Sequence, residues 1–218
     1  MFKSLKEKIL SIIYPPKCMF CSDIIPSHEV ICKKCWYSVK SETSFRILAE
    51  FANGTVGCVS PFKYKGDVRE AICRFKFYGQ KSYSEFFADM IYGELLTSGL
   101  ELDFDIISAV PLSKKRLKSR GYNQSEFLAI TLAKKFSVPY QETLVKIKEN
   151  FPQHNLPRSE RIVNVKGVYA AKSAKLVRDK NILLCDDIIT TGNTLRECIK
   201  ILKLNGAANI VCCTIAYV

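Results

Sequence analysis

The stretch that most constrains the fold is LLCDDIITTGNT, residues 183–194. A run of apolar residues ends at Asp186 and Asp187, and threonines around one glycine then lead into an amphipathic segment. This order predicts a buried strand over residues 181–185, then a loop, then a helix that begins near Thr194. In open α/β sheets, ligands bind beyond the carboxyl ends of the strands. The two aspartates are therefore expected at a binding edge.

The rest of the chain extends this alternation of strands and helices. Strands are also predicted over residues 56–64, 105–111 and 209–218, helical patterns over 67–98, 123–136 and 194–207, and a long polar loop and hairpin over 141–168. Strands that alternate with helices favour a parallel sheet. The sequence therefore predicts an α/β fold with a mostly parallel sheet flanked by helices.

The loop after the aspartates offers two kinds of chemistry. The backbone amides of a helix N-terminus suit a phosphate, and Gly192 lets the backbone approach it closely. Adjacent carboxylates repel a phosphate and need hydroxyl donors or a metal instead. A ribose 5-phosphate carries hydroxyls and a phosphate close together, so we interpret the stretch as its binding site. The expected contacts are Asp186, Asp187, Ile188, Ile189, Thr190, Thr191, Gly192, Asn193 and Thr194.

Other interpretations of this stretch fit less well. The chain has neither a Gly-x4-Gly-Lys-Ser/Thr phosphate loop nor a Gly-x-Gly-x-x-Gly after a strand. An ordinary strand, acidic turn and helix would explain any one of these residues. It does not explain all of them together behind a buried strand.

A basic segment, residues 111–122, follows an earlier predicted strand and contains no acidic residue. Arg116 and Arg120 lie four residues apart, so a helix would place them on one face. Their forked donors suit a pyrophosphate, whereas the lysines of the segment are assigned to solvent. Contact with DNA phosphates is the alternative. In the polar loop, Arg158 and Arg161 either close over the site or belong to a surface hairpin.

Four of the ten cysteines form a doubled CxxC pattern, with Cys18, Cys21, Cys32 and Cys35 as its members. Two such pairs complete the tetrahedral thiolate set that zinc prefers, and a closed set of four makes the ion structural. The alternatives are disulfides and a redox pair. A cytoplasmic chain disfavours the first, and the doubled spacing disfavours the second.

The net charge of +12 favours either a polyanionic partner or a solvated basic surface. Residues 74–83, RFKFYGQKSY, interleave cations with aromatic rings. This pattern is typical of a platform for single-stranded nucleic acid, or of an amphipathic element whose rings face the core. We favour the core for Phe75 and Phe77. Lys76 is expected to reach the bound ligand.

The N-terminus has apolar residues at helical spacing over residues 2–14, and Pro15 and Pro16 stop this helix. Packing on its own domain is favoured over contact with an anionic membrane or with a partner. No signal peptide is convincing, and the apolar stretches are short for a membrane span. We therefore expect a cytoplasmic protein.

The stretch around the aspartates resembles the signature of type I phosphoribosyltransferases, which bind 5-phosphoribosyl-1-pyrophosphate (PRPP). Residues 110–129, VPLSKKRLKSRGYNQSEFLA, and residues 153–169, QHNLPRSERIVNVKGVY, resemble hallmark stretches of the ComF family, phosphoribosyltransferase-like proteins linked to natural competence. With the cysteine pairs, the resemblance covers residues 18–218 in order. The sequence departs mildly from the family pattern at two positions. Asn193 stands where smaller residues are common, and Tyr122 stands where Phe is more usual.

The chain is accordingly divided into an amphipathic helix over residues 1–16, a four-cysteine zinc ribbon over 17–44 and a type I phosphoribosyltransferase-like domain over 45–218. The resemblance implies that the protein binds PRPP with Mg²⁺, with Asp186 and Asp187 in the catalytic position. It also implies a role in handling incoming single-stranded DNA, beside a helicase-like partner and in peripheral contact with the inner membrane.

The alternative function is an active phosphoribosyltransferase that transfers phosphoribose to an unidentified acceptor and releases pyrophosphate. Such enzymes select their acceptor substrate with an additional segment outside the core sheet, called the hood. In this chain a hood would have to come from residues before about 105, where no base-binding pocket is recognisable. PRPP binding is thus better supported by the sequence than turnover.

Overall fold

The structure is a computed structural model that describes residues 15–39, 41–52, 54–77, 82–148 and 166–218. The helix expected over residues 2–14 lies outside these residues, as do Arg158 and Arg161. No helix in the described part of the chain is both long and apolar enough to cross a membrane.

The described residues form strands and helices in alternation. The strands are β1 (Ser44–Phe51), β2 (Gly54–Ser60), β3 (Phe62–Lys63), β4 (Ile106–Ala109), β5 (Leu144–Lys146), β6 (Tyr169–Ala171), β7 (Asn181–Ile189) and β8 (Asn209–Tyr217). The helices are α1 (Lys33–Ser38), α2 (Gly66–Phe77), α3 (Tyr83–Thr97), α4 (Lys114–Arg120), α5 (Gln124–Phe136) and α6 (Asn193–Leu204), with a short 3-10 turn at Ala174–Leu176.

One six-stranded sheet runs in the order β1-β2-β8-β7-β4, with β3 also paired to β8. The pairs β2·β8, β8·β7 and β7·β4 are parallel, and only the edge pair β1·β2 is antiparallel. This arrangement confirms the predicted mostly parallel α/β sheet. Strand β1 was not expected from the sequence. The strand expected over residues 56–64 is two strands, because Pro61 has no N–H to continue the ladder.

Buried side chains of the sheet alternate between two apolar clusters. On β7, Leu183 and Cys185 belong to one cluster, whereas Ile182 and Leu184 belong to the other. This period of two is that of a strand covered on both faces. Cys185 and its neighbours on β8, the adjacent pair of cysteines at residues 212–213, are fully buried and act as small hydrophobic residues, as expected.

Strand β7 is longer than the sequence predicted. It continues past Cys185, and Ile188 and Ile189 still pair with β8, opposite Ala216 and Tyr217. The expected start of the loop at Ile188 is therefore wrong, whereas the expected helix start near Thr194 is confirmed to within one residue. The turn comprises only residues 190–192, and α6 begins at Asn193. Asp186 and Asp187 consequently lie within the strand, where pairing to β8 fixes the backbone beside them.

Candidate functional site

Asp187 lies against Lys76, which comes from the last turn of α2. The Nζ of Lys76 is 2.8 Å from Oδ2 of Asp187, and only 15% and 19% of the two side chains are exposed. An ion pair this sheltered holds both side chains in place, because each would otherwise be a poorly solvated charge. Lys76, expected at the ligand, thus contacts one of the two aspartates.

Asp186 is held by two hydrogen bonds. Its Oδ1 accepts from the Ser125 hydroxyl at 3.0 Å and from the backbone amide of Asp187 at 2.8 Å. Burial, followed by the charge of Asp187, raises the pKa of Asp186 to about 7 although both hydrogen bonds favour the charged form. The pair therefore combines one ion-paired carboxylate with one carboxyl group that titrates near neutral pH.

The motif around residues 120–125 connects this pair to two other elements. Its side chains donate to main-chain carbonyls: Tyr122 to Phe75, Asn123 to Val110 at 3.0 Å, and Gln124 to Lys76 at 3.1 Å. The start of α5 is thereby fixed to the end of β4 and to the end of α2. One consequence is that Ser125 reaches Asp186 while Lys76 stays on Asp187. Sequence reasoning quoted this motif but did not single out Ser125 or Gln124.

The basic segment forms the short helix α4. Ser113 caps its start, with its hydroxyl accepting from the amide of Arg116 at 3.3 Å, and Gly121 ends it with a φ of 79°. Arg116 and Arg120 are half-buried, whereas the three lysines of the helix are exposed. The two arginines are thus distinguished from the lysines by burial, but their expected role toward pyrophosphate stays a prediction.

Arg120 also contacts the aromatic segment of α2. Its Nη1 donates to Oε1 of Gln124 at 3.1 Å, and its guanidinium lies 5.0 Å from the centre of the Phe77 ring. Phe77 is 60% exposed, so its expected place in the core is wrong. Phe75 is fully buried as expected. The two rings differ because they lie two residues apart on a helix, which places them on different faces.

The phosphate loop, defined here as residues 190–192, requires glycine at its last position. Gly192 has a φ of 78°, and a Cβ there would lie 3.0 Å from Cδ2 of Leu48 and 3.2 Å from Nη1 of Arg196. Both the backbone conformation and the space thus favour a residue without a side chain. Among the described residues, the buried hydroxyl of Thr191 has no hydrogen-bond partner.

Two arginines that sequence reasoning missed contact this loop. Arg46, on β1, donates from Nη1 to the carbonyl of Thr190 at 3.1 Å. Arg196, on α6, donates from Nη1 to the carbonyl of Thr191 at 2.5 Å and from Nε to that of Leu48 at 2.9 Å. Arg46 lies 144 residues from Thr190 in the chain, so no local pattern could have pointed to it.

The four paired cysteines converge on one point. Their sulfur atoms all lie within 4.8 Å of one another, and Sγ of Cys21 is 3.7 Å from Sγ of Cys32. A zinc ion with Zn–S bonds of about 2.3 Å needs sulfurs about 3.8 Å apart, whereas a disulfide needs about 2 Å. The cluster therefore has the ligand set and the spacing of a structural zinc site.

The cysteine cluster is tied to α2. Nη1 of Arg74 donates to the carbonyls of Met19 and Phe20, at 2.7 and 2.9 Å, within the first CxxC turn. The ring of Phe20 also packs edge-on against Phe86, with 5.6 Å between centroids. Because Arg74 lies two residues before Lys76, one helical turn contacts both the cysteine cluster and the aspartate pair.

A cavity of about 140 Å³ lies at the opposite edge of the sheet from the aspartates, where Asn181 begins β7 and Asn209 begins β8. Residues before 105 supply β1, β2, β3, α1, α2 and α3, the part of the chain from which an acceptor hood would have to come.

The pKa of Asp186 predicts how stability depends on pH. Folding raises this pKa from 3.8 to about 7, so the folded protein binds the proton more tightly within that window. Stability should fall as pH rises through the window, by up to about 1.4 kcal/mol per unit, and the full loss should be present above pH 7. Urea unfolding between pH 5 and 8.5 should show a flatter profile for Asp186→Asn, which is then the more stable protein at pH 8. Parallel profiles for the two proteins would contradict this assignment.

Two family models match separate parts of the chain. Residues 123–218 match the family model of the phosphoribosyl transferase domain, and residues 9–45 match that of the double zinc ribbon domain. The first match contains the aspartates, the phosphate loop and Ser125. The second contains the four cysteines. The family models thus agree with the parallel sheet and with the zinc-type cluster.

The chain is also similar to proteins of competence and DNA use. It is 34% identical over 145 residues to competence protein F of Haemophilus influenzae, covering 64% of this chain and 63% of that protein. It is 29% identical over 157 residues to the DNA utilization protein YhgH of Salmonella typhimurium, covering 70% and 68%. It is 28% identical over 149 residues to competence protein ComFC of Bacillus subtilis, covering 68% and 59%. The aligned region thus spans less than two thirds of two of these relatives.

Among solved structures, the allosteric regulatory enzyme of purine biosynthesis overlaps 66% of this chain and 30% of its own, with a TM-score of 0.44 and 19% identity. The fold assignment does not depend on this partial overlap, because it rests on the sheet order and on the family models.

Proposed function

We propose that the chain is a ComF-type competence protein, with a phosphoribosyltransferase domain behind a zinc ribbon, and that it binds PRPP with Mg²⁺ and handles incoming single-stranded DNA during natural transformation. The observation that carries this proposal is the placement of Asp186 and Asp187 near the end of β7, two residues before the phosphate loop. Hydroxyl-binding and phosphate-binding groups are thereby adjacent, as a phosphorylated ribose requires.

The ribose of PRPP offers two neighbouring hydroxyls as donors. The carboxylate of Asp187 can accept hydrogen bonds from these hydroxyls. To do so it must share its oxygens with Lys76, its ion-pair partner at 2.8 Å, or be released by Lys76. Asp186, with a pKa of about 7, is ionised in most molecules only above neutral pH. PRPP binding should therefore strengthen as pH rises through 7, because hydrogen bonds to a charged acceptor are the stronger ones.

The pyrophosphate is assigned to the half-buried arginines of α4 and to Mg²⁺. Arg116 and Arg120 provide forked donors from one short helix. Carboxylate oxygens, phosphate oxygens and water are the ligands that Mg²⁺ prefers, so the ion fits beside Asp186 and Asp187. It would neutralise the charge on the pyrophosphate when bound.

Single-stranded DNA is the second proposed ligand, and the names of the relatives support it. On α1 of the zinc ribbon, Trp36 and Tyr37 are 59% and 78% exposed, beside the exposed Lys33 and Lys34. Rings that stack on bases next to cations that contact phosphates are typical of single-strand binding. Phe77, near Arg120 and Lys76, is a second exposed ring among cations.

Trp36→Ala with Tyr37→Ala should weaken binding of an oligothymidine by about tenfold or more, since each stacked base contributes about 1–3 kcal/mol. Fluorescence anisotropy with a labelled strand measures this effect, and affinity in the wild-type protein should fall steeply with salt. Phe51→Ala removes an exposed ring from β1 and serves as the matched control. A salt-independent affinity, or equal affinities for the three proteins, would argue against this surface.

The alternative of an active transferase is favoured by one observation. A carboxyl group with a pKa of about 7 beside the ribose site is suited to accept a proton from an attacking acceptor. Release of pyrophosphate from PRPP, measured with free bases and with DNA, distinguishes the alternatives. Release that requires Asp186 supports an enzyme, whereas no release with any acceptor supports a binding role. The cytoplasmic location, the helicase-like partner and the membrane contact stay predictions.

A further inference from the structure

The phosphate loop is held from its carbonyl side. The carbonyl of Thr190 accepts from Arg46 at 3.1 Å, and the next carbonyl, that of Thr191, accepts from Arg196 at 2.5 Å. Two successive peptide groups are therefore fixed by guanidinium donors. Neither donor belongs to the loop, since Arg46 comes from the edge strand β1 and Arg196 from α6.

In a planar trans peptide, the carbonyl of one residue and the amide of the next point in opposite directions. No cis peptide occurs in the described chain. Fixing the carbonyls of Thr190 and Thr191 on the arginines thus turns the amides of Thr191 and Gly192 to the opposite side. Among the described residues, neither of these amides donates to a protein acceptor. Adjacent free amides on one side of a loop form an anion-binding concavity.

Arg196 also fixes where the loop lies. Its Nε donates to the carbonyl of Leu48 at 2.9 Å while its Nη1 holds Thr191, so one guanidinium joins the loop to β1. Arg46 makes a similar link by donating from Nη2 to the main-chain oxygen of Val218 at 2.7 Å. Gly192 suits this arrangement because a Cβ there would press on the side chains of Leu48 and Arg196. The loop is thereby shaped before any ligand arrives.

We propose that Arg46 and Arg196 are positioning residues that hold the phosphate loop with its amides presented to the 5-phosphate of PRPP. The inference rests on the proposed function and extends it to two residues outside the loop and outside the aspartate pair. The arginines act through the main chain, by orienting Thr190 and Thr191. The buried hydroxyl of Thr191, which lacks a described partner, belongs to the same segment.

A simpler role for the arginines is to supply positive charge to the phosphate. Arg196→Lys separates the two roles, because lysine keeps the charge but cannot reproduce a planar fork that reaches two carbonyls. If charge alone matters, this variant should bind as the wild type does. If the fork positions the loop, it should bind as weakly as Arg196→Gln.

The test is calorimetric titration of the zinc-loaded protein with three probes, namely PRPP with Mg²⁺, ribose 5-phosphate, and pyrophosphate with Mg²⁺. Arg196→Gln and Arg196→Lys should each lose about tenfold or more in affinity for the first two, as expected when a charged hydrogen bond is removed. Affinity for pyrophosphate should stay within about twofold, because that group is assigned to α4. A merely destabilised protein would lose affinity for all three probes.

Arg69→Gln removes an exposed arginine from α2 and is the matched control. Arg46→Gln, which leaves Arg196 in place, keeps the test valid if the Arg196 variants fold poorly, and it should lose affinity for the same two probes. Variants that bind ribose 5-phosphate as the wild type does would overturn the positioning role while PRPP binding stands. A wild-type protein that binds neither ribose phosphate would overturn the proposed function and the positioning role with it.

Discussion

Removal of zinc by a chelator will unfold the cysteine-rich segment and weaken PRPP binding at the same time. Zinc bound by four thiolates contributes about 10–16 kcal/mol in small modules, which equals or exceeds the stability of a whole domain. Residues 15–39 contain little regular structure to support them without the metal, since α1 is a single helix of 6 residues. Loss of the first CxxC turn also frees Arg74, on the same helical turn as Lys76.

Trp36 is the single tryptophan of the chain, and its ring packs 6.3 Å from that of Phe86. Its fluorescence therefore reports on the ribbon directly, and its emission should shift as one zinc per chain is removed. Cys32→Ser should reproduce the effect, whereas Cys73→Ser, outside the cluster, should retain zinc and serve as the control. An unchanged emission spectrum after the metal is lost would contradict a structural role for zinc.

Asp186→Asn combined with Asp187→Asn should abolish PRPP binding, with a loss of at least about 100-fold. Each substitution removes a charged acceptor from the ribose hydroxyls, and hydrogen bonds to charged groups contribute about 1.5–3 kcal/mol each. The fold should survive, because the amide of asparagine has the shape of the carboxyl group. Asn at position 186 should even stabilise the free protein at pH 8, where the buried carboxylate is otherwise charged.

Calorimetry with PRPP and Mg²⁺ measures this loss, and circular dichroism checks the fold. Asp105→Asn, at the start of β4, removes an acid that pairs with Lys180 at the opposite edge of the sheet and is the matched control. Its affinity for PRPP should equal that of the wild type. A double variant that still binds PRPP within about tenfold of the wild-type affinity would show that the aspartates do not hold the ribose.

Local sequence patterns predicted the features that residues close together in the chain determine. The apolar run before Asp186 predicted the buried strand, and the CxxC spacing predicted a metal cluster. The end of β7 was misplaced because pairing with β8 extends it to Ile189, and such pairing between segments is not visible in either one alone. Phe77 was misplaced because the helical register of α2 was not known when the rings were assigned.

Long-range contacts explain what the sequence did not reveal. Arg46 reaches the phosphate loop from an edge strand whose mixed apolar and charged residues gave no strand signal. Ser125 reaches Asp186 because α5 is fixed at its start by bonds to β4 and α2. Both residues have common side chains, and only the assembled sheet brings them to the site. Residues that reach a candidate site in this way are found from tertiary structure.

The crystal structure of the zinc-loaded protein soaked in PRPP and Mg²⁺ is the most direct test of the ribose phosphate site. The account predicts the 5-phosphate on the amides of Thr191 and Gly192, and the ribose hydroxyls on Asp186 and Asp187. PRPP bound elsewhere with this turn empty, or a loop whose carbonyls face the phosphate, would contradict it.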